Sequence, residues 1–391
     1  LDETTYRELA ADAWVTVDGV RYRLSAPVVH RVADPVRGEV RRPLAVAPAV
    51  SVTLDRTVEY ARANAPLQRA VRVILRSARP DTVAVTVTLK VPEGVRVDSV
   101  SRTEVLAAGM GGRALTFNLT GRLRPGRHAV SAVAAIDEER FTTGYVPVEY
   151  DHIRPQKLYR DATTRLEAVD VALPGQPNVA YLPGVSDNVA PMLEQLGVRV
   201  TTLDPAALPT VNLSRFSAVV VGPRAYEARS EMVEHNGRLL DYVRNGGTMV
   251  VQYGQHEMMT PGIMPYPITL ERRADRVTVE EAPVRIVDAD SPLLHVPNRI
   301  TPGDFAGWVQ ERGLYMPRSF DERYRAPLEM NDPGEPPNRG ALLVARYGRG
   351  TYVYTTLSFF RQLPAGVPGA ARLFANLLGA GGAARPPRAS R

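Results

Sequence analysis

The residues best suited to chemistry gather where short apolar runs give way to polar turns. Gly184, Ser186, Asp187 and Asn188 follow one run, and Pro223, Arg224 and Tyr226 follow the next. Tyr253, Gln255, His256 and Glu257 close a third, and Ser358 and Arg361 a fourth. These residues supply hydroxyls, amides, an imidazole, carboxylates and two guanidinium groups, a set suited to a polar ligand such as a sugar or a carboxylate. His256-Glu257 has the residue types for proton transfer. Neighbours in a strand point to opposite faces, however, and no serine nucleophile stands beside them in sequence. A loop hydrogen-bond pair is the plainer alternative. For Ser186, Asp187 and Asn188 the plainer alternative is capping of the helix predicted to follow them.

The stretch Gly246-Gly247-Thr248-Met249-Val250-Val251-Gln252-Tyr253-Gly254-Gln255-His256-Glu257 reads as a buried strand running into a tight polar turn. In glutamine-amidotransferase-like folds such a turn carries a cysteine. Here Tyr253 or Gly254 holds the position, and the chain contains no cysteine. That excludes disulfides, thiolate zinc sites and a cysteine nucleophile. The six histidines, His30, His128, His152, His235, His256 and His295, show no metal-ligand spacing, so no metal is expected in this segment. Gly109-Met110-Gly111-Gly112 lacks the Gly-Lys-Ser/Thr ending of a phosphate loop. Asn118-Leu119-Thr120 and Asn212-Leu213-Ser214 match the glycosylation pattern, which matters only in a glycosylating pathway. Trp308, among Phe305, Gln310, Glu311, Arg312 and Tyr315, is a candidate sugar-facing wall, with packing onto the core as the alternative.

Composition narrows the field further. The 391 residues suffice for two or three domains. A formal charge of +6 invites a nucleic-acid reading, but the basic residues are scattered and nearly all arginine, Lys90 and Lys157 being the lysines. No block of like charge or stacking signature accompanies them, so no nucleic-acid partner is expected. No run approaches the roughly 18 to 20 apolar residues that cross a bilayer. Leu1 opens the chain without a methionine, which fits a segment or a processed product, with an extracytoplasmic location (periplasmic or secreted) favoured.

Periodicity sets out the elements that would position these residues. Val83, Val85, Val87, Leu89 and Val91 alternate with polar residues on one strand, ended by Pro92-Glu93-Gly94. Further alternating runs over 115–119 and 128–133 predict an Ig-like β-sandwich over residues 46–152. Residues 1–45, with Trp14-Val15-Thr16-Val17 and Val20-Arg21-Tyr22-Arg23-Leu24, read as the end of an upstream β domain or linker strands. Beyond, strands at 178–182, 198–203, 216–221 and 248–252 alternate with predicted helices at 189–196 and 232–243. The expected fold over 170–380 is therefore α/β, a flavodoxin-like or class I amidotransferase-like open parallel sheet, with an irregular insertion or cap at about 268–330. A hairpin over 340–358 and a final helix over 370–378 would complete it. Residues 381–391 are predicted to be disordered.

One resemblance spans essentially the whole chain. Val219-Val220-Val221-Gly222-Pro223-Arg224-Ala225-Tyr226, Val250-Val251-Gln252-Tyr253-Gly254-Gln255, Asn298-Arg299-Ile300-Thr301, Gly307-Trp308-Val309-Gln310-Glu311-Arg312-Gly313-Leu314-Tyr315 and the run 352–361 carry it. Together they resemble the C-terminal region of long bacterial PIG-L (LmbE-like) deacetylases, where a sandwich and an amidotransferase-like domain follow a zinc-dependent N-acetylglucosaminyl deacetylase domain. The resemblance implies that the parent polypeptide hydrolyses carbon–nitrogen amide bonds, with zinc held upstream. The family's His-Pro-Asp-Asp run occurs nowhere in this sequence, so no catalytic residue carries over. The expectation is a non-catalytic accessory region that binds a glycan or amino sugar or positions the upstream deacetylase domain in cis. An independent hydrolase working through His256 and Glu257, and a purely structural or oligomerising module, are the alternatives.

Overall fold

The computed structural model describes residues 9–383 apart from 45, 110, 149, 151, 154 and 155, and its contacts divide into two compact units. The first takes in the described residues up to Thr57, Pro66–Arg122 and His128–Leu166; the second holds Val58–Ala65, Leu123–Arg127 and the described residues from Glu167 on.

The first unit is built of antiparallel sheets. One has the order Val50–Leu54, Leu67–Ser77, Arg113–Gly121, Val95–Val97; another joins Ser101–Leu106, Val83–Lys90 and Gly126–Ile136. Alternation does the sorting: Val85, Val87 and Leu89 are buried on one strand, as are Val71, Val73 and Leu75 on another, while the residues between them face outward or sit half-buried. This is the β-sandwich that the period-2 pattern predicts. Ahead of it, Ala10–Val17 and Val20–Pro27 form a hairpin whose Asp18-Gly19 turn has positive φ at both residues, the signature of a primed two-residue turn.

The second unit contains a six-stranded mixed sheet. Its strands are β1 (Asn178–Leu182), β2 (Arg199–Thr202), β3 (Ala218–Val221), β4 (Thr248–Gln252), β5 (Leu342–Tyr347) and β6 (Gly350–Thr355). The order is β2-β1-β3-β4-β6-β5, with β5 antiparallel to β6 and the other pairs parallel. Both faces are covered, which is why these strands read as continuous apolar runs. Val179, Tyr181, Val220, Val250 and Val353 join one core with helices α1 (Val189–Gln195), α5 (Phe359–Gln362) and α6 (Pro368–Leu378). Ala180, Leu182, Val219, Met249, Val251 and Tyr354 join the other, with Ala225 and Tyr226 of α2 (Ala225–Ala228) and Leu239, Leu240 and Val243 of α4 (Asn236–Arg244). The helical stripe read across 232–243 is two elements: α3 (Ser230–Glu234) ends at His235, where φ of −103° and ψ of 11° break the turn before α4.

The expected fold class needs correction. The chain is mostly β, 43% strand and 16% helix, distributed over many sheets. A flavodoxin-like or amidotransferase-like open parallel sheet wrapped by helices does not describe it. The connection from β2 to β3 carries only two 3-10 turns, Pro205–Ala207 and Leu213–Arg215. The long connection from β4 to β5 makes short strand pairs instead of a helix: Ile268–Thr269 with Ser319–Phe320, Asp275–Val277 with Gly313–Met316, and Val284–Ile286 with Leu328–Met330. Apolar strand runs reveal buried strands but say nothing about what crosses between them. Of the predicted tail 381–391, residues 381–383 belong to a short helix, Ala380–Ala383, and the rest lie outside the described residues.

Candidate binding site at the carboxyl edge of the mixed sheet

The parallel strands β1, β3, β4 and β6 all end at one edge, and most of the predicted site residues lie in the turns that leave it. Asp187 organises the turn after β1. Its carboxylate accepts the Tyr181 hydroxyl at 2.8 Å, the Gly184 N–H at 2.9 Å and the Val189 N–H at 3.1 Å. Capping of α1 therefore falls to Asp187 alone: Asn188, at the cap position, makes no side-chain cap bond, and Ser186 is exposed with φ of +52°. Buried Gln252, at the end of β4, donates from Nε2 to the Tyr181 hydroxyl at 3.1 Å, and its Oε1 has no partner among the described residues. Burial, and then the Asp187 carboxylate, push the Tyr181 phenol well above its ordinary range.

The turns after β1 and β3 touch backbone to backbone. A Cβ on Gly184 would lie 2.0 Å from the Pro223 carbonyl oxygen, and one on Gly222 would lie 2.1 Å from Asp187 Oδ2. Glycine is required at both for that reason. Arg224 follows with φ of +56°, donates its N–H to the Tyr253 carbonyl at 2.8 Å, and forks onto Glu227 at 2.7 and 2.5 Å. Glu227 raises the guanidinium's pKa further.

At the centre of the edge, Tyr253 stacks on Tyr315 with centroids 5.9 Å apart and planes 8° apart, and tilts against Phe360 at 5.6 Å. Arg276 lies over the Tyr315 ring, 5.1 Å from its centroid, and reaches the Tyr315 hydroxyl at 3.4 Å. Arg361 lies 5.0 Å over Phe360 and pairs with Glu311 at 2.5 Å. Burial raises the Tyr253 phenol; Arg224 opposes this, Glu311 adds to it and Arg361 opposes it. Register explains how Tyr315 arrives here. The pairing of Asp275–Val277 with Gly313–Met316 shifts between Asp275 and Val277, and Tyr315 takes φ of +52° inside that irregularity. Bulges of this kind re-aim side chains.

Several predicted site residues lie elsewhere. Tyr226 is 4% exposed in the α4-side core, its hydroxyl donating to Asn236 at 2.6 Å. Trp308 is 2% exposed, donates from Nε1 to the Asp304 carbonyl at 3.0 Å and packs between Phe305 and Phe359. It is core and not a sugar-facing wall, because an indole with its N–H satisfied internally gains most by full burial. Ser358 is also buried, its hydroxyl donating to the Glu311 carbonyl. His256 and Glu257 begin a 3-10 turn, His256–Met259, and do not pair. His256 Nε2 meets the Glu271 carbonyl at 3.1 Å, while Glu257 accepts the Gln255 N–H at 2.8 Å. Among the described residues no three His, Asp or Glu side chains converge as metal ligands would.

Sequence reasoning did not single out Tyr181, Gln252, Glu227, Arg276 or Phe360, and it named Glu311 and Tyr315 only as neighbours of Trp308 in the candidate sugar-facing wall. Tyr315 and Arg276 come from the irregular connection, where no periodicity foretells which residues return to the sheet edge. Glu227, three residues after Arg224 in a predicted turn, could have been found as an i, i+3 partner.

No family model and no curated protein matches the chain. Among solved structures it is similar to an exo-β-1,4-mannosidase from an Opitutaceae bacterium (11% identity, 52% of this chain and 36% of that one, TM-score 0.33). It is also similar to a β-galactosidase from Rahnella (14% identity, 50% and 30%, TM-score 0.30). An Escherichia coli α2-macroglobulin fragment matches at 12% identity over 32% of this chain, which spans 17% of that one, with a TM-score of 0.21. Likenesses this slight carry no argument about what the chain does.

Proposed function

We propose that the second unit is a non-catalytic glycan-binding element, acting as an accessory region of the kind appended to PIG-L-type deacetylases. The observation that carries this reading is the aromatic shelf of Tyr253, Tyr315 and Phe360, with the Arg224–Glu227 and Arg361–Glu311 ion pairs beside it. Sugars are bound by that combination: ring faces take up the apolar C–H side of a pyranose, and fixed charged groups take up its hydroxyls.

Backbone strain supports the same edge. Among the described residues, seven other than glycine have positive φ. Asp18, Asn64 and Asp137 are of the types that tolerate it. The other four, Ser186, Arg224, Gln310 and Tyr315, have no such tolerance, and three of them lie in the turns of this edge or in its aromatic shelf. Strain of this kind concentrates at ligand sites. The separated His256 and Glu257 weigh against an independent hydrolase.

Calorimetric titration of the whole chain with a panel of neutral and acidic oligosaccharides, including the N-acetylglucosamine trimer, tests the proposal. At least one sugar should bind, and Tyr253→Ala should weaken it at least tenfold. Binding untouched by Tyr253→Ala, or no binding across the panel, would overturn it. Hydrolysis of N-acetylated sugars by the chain alone would also overturn it.

A further inference from the structure

The hairpin of Ala10–Val17 and Val20–Pro27, in the first unit, is divided cleanly into two faces. Residues directly opposite each other in an antiparallel pair share a face. The register sets Ala11 against Ala26, Ala13 against Leu24, Val15 against Tyr22 and Val17 against Val20, so one face is apolar from end to end. The other carries Asp12, Trp14, Thr16, Arg21, Arg23 and Ser25, with Arg23 paired to Asp12 at 2.8 Å and Arg21 lying 4.4 Å over the Trp14 ring. A period-2 split of this kind is what one-sided burial selects. In the sandwich strand Val83–Lys90 the same split buries Val85, Val87 and Leu89 almost completely. Among the described residues nothing covers the apolar face of the hairpin. Both strands are exposed throughout, and the large residues of that face run from Val15 at 41% to Leu24 at 57%.

A two-stranded sheet with a bare apolar face is marginal by itself in water, and a contiguous exposed apolar patch marks an interaction surface. Shape, charge and size select the partner. On the two middle rungs the first strand presents the smaller side chain and the second the larger: Ala13 beside Leu24, and Val15 beside Tyr22. The face is therefore stepped, low along Ala10–Val17 and high along Val20–Pro27. A second copy, turned about a two-fold axis parallel to the strands, lays its high column over the low column of the first, and the reverse holds as well. The step fills itself. The face carries no charge, and Asp12 and Arg23 balance each other on the far side, so no like charges meet across the axis. Two eight-residue strands side by side make a face of roughly 26 Å by 10 Å. With side-chain relief included, closing two such faces together removes on the order of 1,000 Å² of accessible surface, the low end for a specific interface.

We propose that this face is a self-association surface, on which two copies of the chain pack hairpin against hairpin about a two-fold axis as a weak dimer. Val15, Tyr22 and Leu24 lie at its centre, and Ala13 forms the recess that takes up Leu24 of the other copy. The surface uses residues of the first unit alone and stands or falls independently of the glycan reading of the second.

Sedimentation velocity of the whole chain over about 1 to 500 µM tests the proposal. The unaltered chain should pass from monomer to dimer, half-associated at about 10–100 µM, as suits a small interface. Leu24→Lys should weaken association about tenfold or more, because each copy then buries an unpaired ammonium group. Tyr22→Ala, which adds no charge, should weaken it by a similar factor through lost contact area. Leu24→Met, which keeps the volume, and Thr16→Lys, on the polar face, should both stay within about twofold of the unaltered chain. Circular dichroism on each variant separates lost association from lost folding. A chain that remains monomeric at every concentration overturns the proposal. So does a dimer left intact by both Leu24→Lys and Tyr22→Ala, or one that Thr16→Lys weakens as strongly as they do. A monomer that co-sediments with phosphatidylcholine vesicles, and no longer does so after Leu24→Lys, overturns it in favour of a lipid surface.

Discussion

Tyr253, on the turn leaving β4, and Tyr315, sixty-odd positions later in the irregular connection, lie with ring planes 8° apart and centroids 5.9 Å apart. The pair joins a residue positioned by the sheet to one positioned by a strand irregularity with φ of +52°. Neither tyrosine alone makes a platform. Tyr315→Ala should therefore weaken sugar binding about tenfold, the scale of one lost aromatic stacking contact, with a smaller change in stability because Tyr315 is only half-buried. Calorimetry and urea unfolding on one variant separate the two effects. A large loss of stability with intact binding would make Tyr315 structural.

The close approach of the turns after β1 and β3 gives a sharper mutational test. Gly222→Ala drives a Cβ to 2.1 Å from Asp187 Oδ2 and 2.4 Å from the Gly184 N, and Gly184→Ala to 2.0 Å from the Pro223 carbonyl. Each should cost about 1–3 kcal/mol in denaturant unfolding, the range for overpacking a filled site. Gly237→Ala, inside α4 with nothing within 4 Å, should instead stabilise by about 0.5–1 kcal/mol. If all three behaved alike, the close contact between the turns would be disproved.

Ser186 is exposed and holds φ of +52°, which glycine adopts without strain. Ser186→Gly is expected to raise stability by about 0.5–1 kcal/mol, with the left-handed strain relieved. A clear destabilisation in urea would mean that the backbone here is not left-handed.

Alkaline pH should unfold the protein. Burial raises the phenols of Tyr181, Tyr226, Tyr352 and Tyr354, and pushes Tyr242 up to about 12, against a reference value of 10.0. A raised folded pKa means that the neutral form is favoured in the native state. The associated stability is full below the unfolded value and is lost as pH rises through the folded ones. Stability should therefore fall from about pH 10 upward, with ultraviolet tyrosinate absorbance from these residues appearing together with loss of circular dichroism. Early tyrosinate formation in a still-folded chain, for all five, would contradict their burial.

How far the candidate site was legible depended on which physical signal each residue carried. Asp187 and Arg224 were legible because strand ends and turn residues are local features, and both lie where the apolar runs of β1 and β3 stop. Trp308 and Tyr226 were misread for the opposite reason. An aromatic with a polar tip looks the same in sequence whether that tip meets a ligand or, as here, the Asp304 carbonyl and Asn236. His256 and Glu257 have suitable chemistry and adjacent numbers, yet each bonds to a different backbone group, because adjacency along the chain does not bring side chains together.

By itself the sequence determined the sandwich strands, through period-2 burial such as Val85, Val87 and Leu89, and the buried strands of the mixed sheet, through their continuous apolar runs. It also settled that no cysteine chemistry is available. Tertiary structure alone decided that the long connection from β4 to β5 forms strand pairs, and that Tyr315 and Arg276 return from it to the sheet edge beside Tyr253. Periodicity records which face of an element is buried, a property of neighbours a few residues apart. The shelf depends on contacts between residues far apart in the chain, and those are set by how the whole unit packs.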